Sequence, residues 1–182
     1  MGFAFKNIHI VGASGSGTTT LGASLAAAVG GAHLDTDDYY WLPTWPPYRR
    51  KRPPAERLDS LKAAFAGADR WVLSGSILHW GVQLASDFDL VVFLFVPPQE
   101  RLARLRAREA KRYGETIAVG GELHDAHRDF LAWATSYDTA TGQGRNLVSH
   151  RAWLRSLTCP VLEIAGCQPP EETLRRVLSF GR

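Results

Sequence analysis

The chain has 182 residues, of which 45% are hydrophobic and 21% are charged. This size and composition fit one domain with a sizeable core, and they exclude a mainly disordered or fibrous chain. The net charge is +3, with 17 Arg against 4 Lys, which suits small anionic ligands. Two cysteines are too few for a disulfide framework or a four-ligand zinc site, and no apolar run is long enough to cross a bilayer. We therefore expect a cytoplasmic protein without a membrane partner.

Short β-rich runs alternate with helical segments along the whole chain. The β-rich runs predict strands at residues 5–11, 32–35, 70–74, 89–96 and 160–165. Helical periodicity predicts helices at residues 18–29, 54–66, 97–113, 122–139, 146–157 and 170–180. This alternation predicts an α/β fold with a parallel sheet, in one domain over residues 1–182.

A glycine-rich turn separates the first strand from the first helix. Its residues are Gly12, Ala13, Ser14, Gly15, Ser16, Gly17, Thr18 and Thr19. The strand–turn–helix context is that of a phosphate-binding P-loop, in which inward-pointing backbone N–H groups and a helix N-terminus bind phosphate. We call residues 12–19 the P-loop, and we expect them to bind nucleotide phosphates, with the Thr19 hydroxyl on Mg²⁺.

Thr18 departs from the pattern G-x-x-x-x-G-K-[ST], which requires lysine at that position. The lysine follows the β- and γ-phosphates through phosphoryl transfer. Losing one such donor costs roughly 3–4 kcal/mol of transition-state stabilisation in comparable sites. Phosphate binding is therefore better supported by the sequence than catalysis.

On these motifs the chain resembles the P-loop nucleoside and nucleotide kinases, including adenylate-kinase-related, shikimate-kinase-like and topology-modulation-type small proteins. The resemblance runs over residues 5–180, although its one sharp motif is the P-loop. It implies a three-layer fold with a five-stranded parallel sheet of order 2-3-1-4-5, helices on both faces and a site for ATP and Mg²⁺. It also implies an acceptor-binding segment at about residues 36–67 and a small lid at about residues 113–121. A second departure is Ser74, where the adenylate kinase pattern closes the third strand with Asp.

Asp35 and Asp37 follow the second predicted strand, at the edge where open α/β sheets bind ligands. Their spacing matches the Asp-x-Asp of shikimate-kinase-like enzymes. One carboxylate would hold Mg²⁺ through water and the other would accept the hydroxyl proton of the acceptor. Both are catalytic candidates, and Thr19 and Asp37 are the metal candidates. The alternative is a simple helix or turn cap. Asp89 begins the fourth strand and is placed outside the site.

Arginines on the helix after the fourth strand are the candidate replacements for the missing lysine. Arg101, Arg104, Arg108 and Arg112 fall within an arc of roughly 80° on a helical wheel. Similar helices in nucleotide kinases lead into the lid, so Arg108 and Arg112 are the catalytic candidates. A solvated basic face is the alternative, above all for Arg101 and Arg106.

The aromatic run at residues 39–48, followed by the basic residues 49–52, suits a small acceptor with a flat ring or an anionic group. The combined prediction is a protein that binds ATP and transfers its γ-phosphoryl group to a small-molecule acceptor. Two alternatives stay open: a non-catalytic or regulatory nucleotide-binding protein, and a nucleic-acid-binding module. No element for reading nucleic acid is recognisable, so we do not expect nucleic acid as a partner.

Overall fold

The computed structural model describes residues 3–180 and contains a five-stranded parallel sheet. Its strands, in chain order, are β1 (Asn7–Gly12), β2 (Ala32–Asp35), β3 (Trp71–Ser74), β4 (Leu90–Phe95) and β5 (Val161–Ala165). Their spatial order is β2-β3-β1-β4-β5, with every neighbouring pair parallel. The expected fold class and strand order are thus confirmed.

Seven α-helices occur in the described residues. They are α1 (Thr18–Val29), α2 (Thr36–Tyr40), α3 (Pro54–Ala66), α4 (Pro98–Tyr113), α5 (His124–Ser136), α6 (Leu147–Arg155) and α7 (Pro170–Ser179). Short 3₁₀ helices cover Val82–Asp87 and Gly114–Ile117. Neither the α2 helix nor the 3₁₀ helices appear in the predicted pattern, because segments of four to six residues are too short to show a periodicity.

Side chains alternate between the two faces of the sheet and form a separate core on each. Ile8 and Ile10 pack on one face with Leu25 of α1 and Val177 of α7. Val11 belongs to the other face, where the core residues contributed by α-helices are Leu61, Trp153 and Leu154. Both faces of β1 and β4 are covered, as expected for central strands of a parallel sheet.

Because all strands are parallel, their carboxyl ends lie along one edge of the sheet. In the register of the sheet, Asp35 at the end of β2 lies opposite Ser74 at the end of β3. Asp89 lies at the opposite edge, where its carboxylate accepts hydrogen bonds from the N–H groups of Lys6 (2.7 Å) and Asn7 (3.0 Å). This position agrees with its exclusion from the site. In residues 3–180, no helix has the length and apolar composition that a membrane span requires.

Candidate active site

The P-loop turns through two glycines with left-handed backbone conformations. Gly15 has φ +83° and Gly17 has φ +94°, a region that side chains with a Cβ rarely adopt. Between them, the Ser16 N–H donates to the Ala13 carbonyl oxygen at 3.1 Å. Gly17 then caps α1, so the loop meets the N-terminus of a twelve-residue helix. This geometry presents free backbone donors and a positive helix end, which together favour an anion.

Arg101 of α4 supports the P-loop from within the protein. Its side chain is fully buried, and Nη1 donates to the carbonyl oxygens of Ser14 (3.2 Å) and Ala134 (3.3 Å). Nη2 pairs with the carboxylate of Asp138. The interpretation of Arg101 as part of a solvated basic face is therefore wrong. The carboxylate that balances its charge lies 37 residues later in the chain, in a different element.

The P-loop and the end of β2 are joined through hydroxyl groups. Thr19 Oγ1 donates to Asp35 Oδ2 at 2.8 Å, and Ser74 Oγ donates to the same oxygen at 3.1 Å. The Ser74 oxygen also lies 3.0 Å from Nε2 of His33. Asp35, at the end of β2, therefore brings a carboxylate next to Ser74, at the end of β3. Ser74 is the position at which the adenylate kinase pattern has Asp. The other oxygen of Asp35, Oδ1, accepts the Asp37 N–H at 3.0 Å and caps α2.

Asp37 differs electrostatically from an ordinary surface carboxylate. Its pKa is raised, first because the surrounding protein desolvates the carboxylate and second because Asp35 is close. The charge of Arg145 and the neighbouring Trp41 side chain act in the opposite direction. The residue keeps contact with solvent, so a proton can reach it. A raised pKa brings a carboxylate closer to the range that suits a general base.

Arg145, in the loop before α6, is the arginine that the sequence reasoning did not identify. Its Nη2 donates to the carbonyl oxygen of Gly12, the first P-loop residue, at 2.6 Å. Asn146 holds this loop in place, because its Nδ2 donates to Gly142 O (2.9 Å) and its Oδ1 caps α6. A single arginine after a glycine-rich turn gives no periodic or motif signal. Its role depends on a contact between residues 133 positions apart in the chain.

Arg108 and Arg112 lie at the lid end of α4, each with other partners. Arg108 donates to the carboxylate of the adjacent Glu109 at 2.9 and 3.0 Å, and its side chain is about half exposed. Arg112 lies over the ring of Tyr113, 5.9 Å from its centroid. The proposed contacts of Arg108 and Arg112 with nucleotide phosphates stay predictions. The rings of Tyr113 and Trp45, whose centroids lie 6.5 Å apart, connect the C-terminal end of α4 to the aromatic run at residues 39–48.

Within the acceptor segment, residues 41–51 form a closed loop. Leu42 N–H donates to Arg50 O at 2.8 Å, and Arg52 N–H donates to Tyr40 O at 2.9 Å. The guanidinium of Arg57, on α3, stacks over the Tyr40 ring at 4.0 Å. Trp45 lies at the tip with 80% of its surface exposed. The aromatic side chains are therefore only partly used for packing this segment against the protein.

Sequence comparison identifies the family. The family model for the AAA domain matches residues 8–127, which is more than half of the chain. The uncharacterized protein YqaC of Bacillus subtilis (strain 168) is 45% identical over 175 residues, covering 96% of this chain and 97% of that protein. Shikimate kinase 2 of Dickeya chrysanthemi is 34% identical over 115 residues, covering 55% of this chain and 63% of the enzyme.

Structural comparison gives the same fold. The shikimate kinase of Bacteroides thetaiotaomicron superposes with a TM-score of 0.58 at 18% identity, over 96% of this chain and 97% of that one. The shikimate kinase of Aquifex aeolicus has a TM-score of 0.52 at 16% identity, over 94% and 93% of the two chains. The chain belongs to the AAA domain family, and it has the fold of the P-loop nucleotide and nucleoside kinases.

Proposed function

We propose that this member of the AAA domain family is a small-molecule kinase that binds ATP with Mg²⁺ and phosphorylates a hydroxyl group of its acceptor. The observation that carries the proposal is the 2.8 Å hydrogen bond from Thr19, at the end of the P-loop, to Asp35, at the end of β2. It brings the hydroxyl that P-loop proteins use toward Mg²⁺ next to a carboxylate. The similarity to shikimate kinases supports the same type of reaction.

Thr19 and Asp35 fit a magnesium site of the sparse kind found in phosphoryl-transfer proteins. Mg²⁺ keeps several waters and takes one or two protein oxygens together with the phosphates of the substrate. The Ser16 hydroxyl is buried without a hydrogen-bond partner in the described chain, as expected of a loop shaped for a further polar group. When bound, Mg²⁺ would neutralise charge that develops on the phosphates. The Thr19–Asp35 bond favours Asp35 over Asp37 as the carboxylate on the metal side.

Asp37 is then the acceptor of the proton. In the transfer, a bond forms between the acceptor oxygen and the γ-phosphorus, while the bond from that phosphorus to the β–γ bridging oxygen breaks. ADP leaves with the electron pair of the broken bond, and the hydroxyl proton passes to the Asp37 carboxylate. The raised pKa of Asp37 suits this role, since the carboxylate must be ionised at neutral pH yet basic enough to accept a proton.

The acceptor would bind in the region bounded by Asp37 and the aromatic side chains of the closed loop. The Trp41 N–H donates to the Asp37 carbonyl oxygen at 3.1 Å, so the loop and the proposed base are neighbours. The rings of Trp45 and Tyr113, whose centroids lie 6.5 Å apart, connect the same loop to the C-terminal end of α4. Closure of the lid onto this loop would exclude water from the transferred group. Aromatic faces beside arginine favour an acceptor that has an apolar ring and a negative charge.

The test combines titration with Mg·ATP and a screen of small hydroxyl acceptors for ADP release. We expect wild type to bind ATP and to phosphorylate at least one acceptor. Asp37→Asn should bind ATP normally, with turnover reduced about 10²–10⁴-fold.

Turnover of wild type should fall as the pH drops through the raised pKa of Asp37, because only the ionised carboxylate accepts a proton. Asp87→Asn, at the opposite edge of the sheet, is the matched control. Full turnover by Asp37→Asn would contradict its role.

A second candidate is a nucleotide-binding protein without phosphotransferase activity, and Thr18 is the observation that favours it. The position that carries lysine in active P-loops here holds a buried, uncharged side chain at the start of α1. Such a protein would bind ATP in the titration and release no ADP with any acceptor. The same experiment therefore separates the two functions.

A further inference from the structure

The P-loop, residues 12–19, contains no lysine or arginine. Thr18 is buried in the first turn of α1 and carries no charge. Lys6 precedes β1, and its N–H bonds to Asp89 at the opposite edge of the sheet. A phosphate with two or more negative charges would therefore meet backbone donors but no lysine. If this site transfers phosphoryl groups, a positive charge has to reach it from another element.

Arg145 reaches the P-loop with part of its guanidinium unused. Nη2 donates to Gly12 O at 2.6 Å, while Nε is buried and has no hydrogen-bond partner in residues 3–180. Buried polar groups are almost always paired, so an unpaired guanidinium nitrogen beside an anion-binding loop needs a physical reason. A phosphate oxygen would provide one, because arginine binds phosphate through two parallel N–H donors.

The charge of Arg145 is also left without a close counterion. Within the described part of the chain it forms no ion pair with a carboxylate, whereas the more deeply buried Arg101 pairs with Asp138. Its pKa is lowered, first because burial disfavours the charged form, while the more distant Asp37 and Asp35 favour that form. A partly buried cation without an ion-pair partner costs free energy that a bound anion would recover.

Several contacts hold the Arg145 side chain and its loop in one position, as a group that binds a ligand requires. Asn146 is almost fully buried and binds the carbonyl oxygens of Gly142 and Gly144 while capping α6. The guanidinium also lies over the ring of Trp133, 5.8 Å from its centroid. The side chain is thus held before any ligand arrives, which lowers the entropy lost on binding.

We propose that Arg145 replaces the missing P-loop lysine and contacts the phosphoryl oxygens of the nucleotide as a catalytic residue. The proposal rests on the proposed function, since it assigns a charge to the same site. It differs from the assignment of Arg108 and Arg112, because the cation comes from the loop before α6 and contacts the P-loop directly.

Two substitutions separate the charge of Arg145 from its hydrogen bond to Gly12. Arg145→Gln keeps a donor for the Gly12 carbonyl and removes the charge, whereas Arg145→Lys keeps the charge and removes the planar fork. Arg106→Gln removes one arginine from the exposed side of α4 and is the matched control. Each variant is titrated with Mg·ATP, Mg·ADP and adenosine, and kcat and KM are measured with an acceptor found in the screen.

We expect Arg145→Gln to weaken ATP and ADP binding by about tenfold to a hundredfold, the range for one lost charge-assisted hydrogen bond, and to leave adenosine binding unchanged. kcat should fall further than KM rises, because the charge matters most as the phosphoryl group transfers. Arg145→Lys should recover part of both losses. Arg106→Gln should match wild type.

Equal nucleotide affinity in Arg145→Gln and wild type would overturn the proposal, and so would an equal loss for adenosine, which has no phosphate. If no acceptor is phosphorylated but Arg145→Gln still loses ATP affinity, the kinase function fails while the phosphate contact stands. If wild type binds no nucleotide, both proposals fail. Should Arg145→Gln not fold, Arg145→Lys decides, because normal folding with unchanged kcat and KM would show that the guanidinium contributes nothing specific.

Discussion

Arg101 and Arg145 both contact the backbone of the P-loop, but their charges are balanced in different ways. Arg101 comes from α4, is fully buried and pairs with Asp138. Arg145 comes from the loop before α6, contacts Gly12 O and makes no ion pair within residues 3–180. In both side chains Nε is buried without a hydrogen-bond partner in residues 3–180, so the difference lies in the charge. Arg101 has a carboxylate that balances its charge, whereas Arg145 leaves its charge without an ion pair beside a loop shaped for anions.

The difference indicates that two arginines beside the same loop have different roles, one structural and one functional. A buried pair contributes little net stability, yet breaking it leaves an uncompensated charge. A partly buried cation without an ion pair costs stability, and functional sites often retain such costs. Arg101 should therefore be needed for folding, and Arg145 for binding. The following predictions test this division, beginning with the largest expected effect.

Arg101→Met should lower the free energy of unfolding by about 3–5 kcal/mol, because it leaves the carboxylate of Asp138, whose side chain is only 15% exposed, without its partner. Arg145→Met should cost less than half as much, since it removes an unpaired charge together with one hydrogen bond. Urea denaturation of both variants in the absence of nucleotide measures the difference. Equal losses would mean that Arg145 is structural in the same sense as Arg101.

The two left-handed glycines allow a second test of the side of the loop that Arg101 supports. Gly15→Ala would place its Cβ 2.7 Å from the Arg101 carbonyl oxygen, whereas a Cβ on Gly17 meets Leu94 Cδ2 at 3.9 Å and nothing closer. Both substitutions bear a backbone strain of about 1–2 kcal/mol, because both φ values are positive. Gly15→Ala should cost about 1–3 kcal/mol more through overpacking. Urea denaturation measures both costs, and equal values would show that the loop moves away from α4 freely.

Much of the scaffold was predictable from the sequence, for local reasons. The bounds of α1 agree with the prediction because Gly17 and Gly30, both with left-handed backbones, limit a continuous Ala/Leu-rich run. The position of Asp35 follows from topology, since the carboxyl ends of parallel strands share one edge of the sheet. The prediction that Asp35 lies at that edge did not depend on any side-chain detail, whereas its hydrogen bond to Thr19 was not predicted, since Thr19 and Asp37 were the metal candidates.

The contacts of Arg101 and Arg145 with the P-loop were not predictable in the same way. Arg101 lies on a helix whose local pattern is basic, and only tertiary packing brings the Asp138 carboxylate to it. Arg145 lies in an irregular loop, where no periodicity indicates which way a side chain points. Charge counting along α4 therefore could not indicate that an arginine from the loop before α6 contacts the P-loop.

The pKa of the buried His150 depends on the charge of Arg145. Its ring is fully buried, with Nδ1 2.6 Å from the hydroxyl oxygen of Tyr137 and Nε2 3.1 Å from Ser76 Oγ. The pKa of His150 is lowered to about 3, first by burial and next by the charge of Arg145, with smaller contributions from His9 and His79. The imidazole is thus neutral at physiological pH and sensitive to nearby charge.

The smallest predicted effect is a shift of the His150 pKa. Arg145→Met should raise this pKa from about 3, although burial, the larger cause, should keep it below the usual 6.5. NMR titration of the imidazole protons measures the shift, with Arg106→Met as the control that removes a distant charge.

The same substitution should also change how the free energy of unfolding depends on pH. The unfolded chain takes up a proton below about pH 6.5 while folded His150 does not, so stability falls as the pH drops from there toward about 3. A higher folded pKa narrows that window, and Arg145→Met should therefore lose less stability on acidification than wild type does. An unchanged His150 pKa would mean that no positive charge resides on Arg145 in the folded protein, and the contrast with Arg101 would then rest on hydrogen bonding alone.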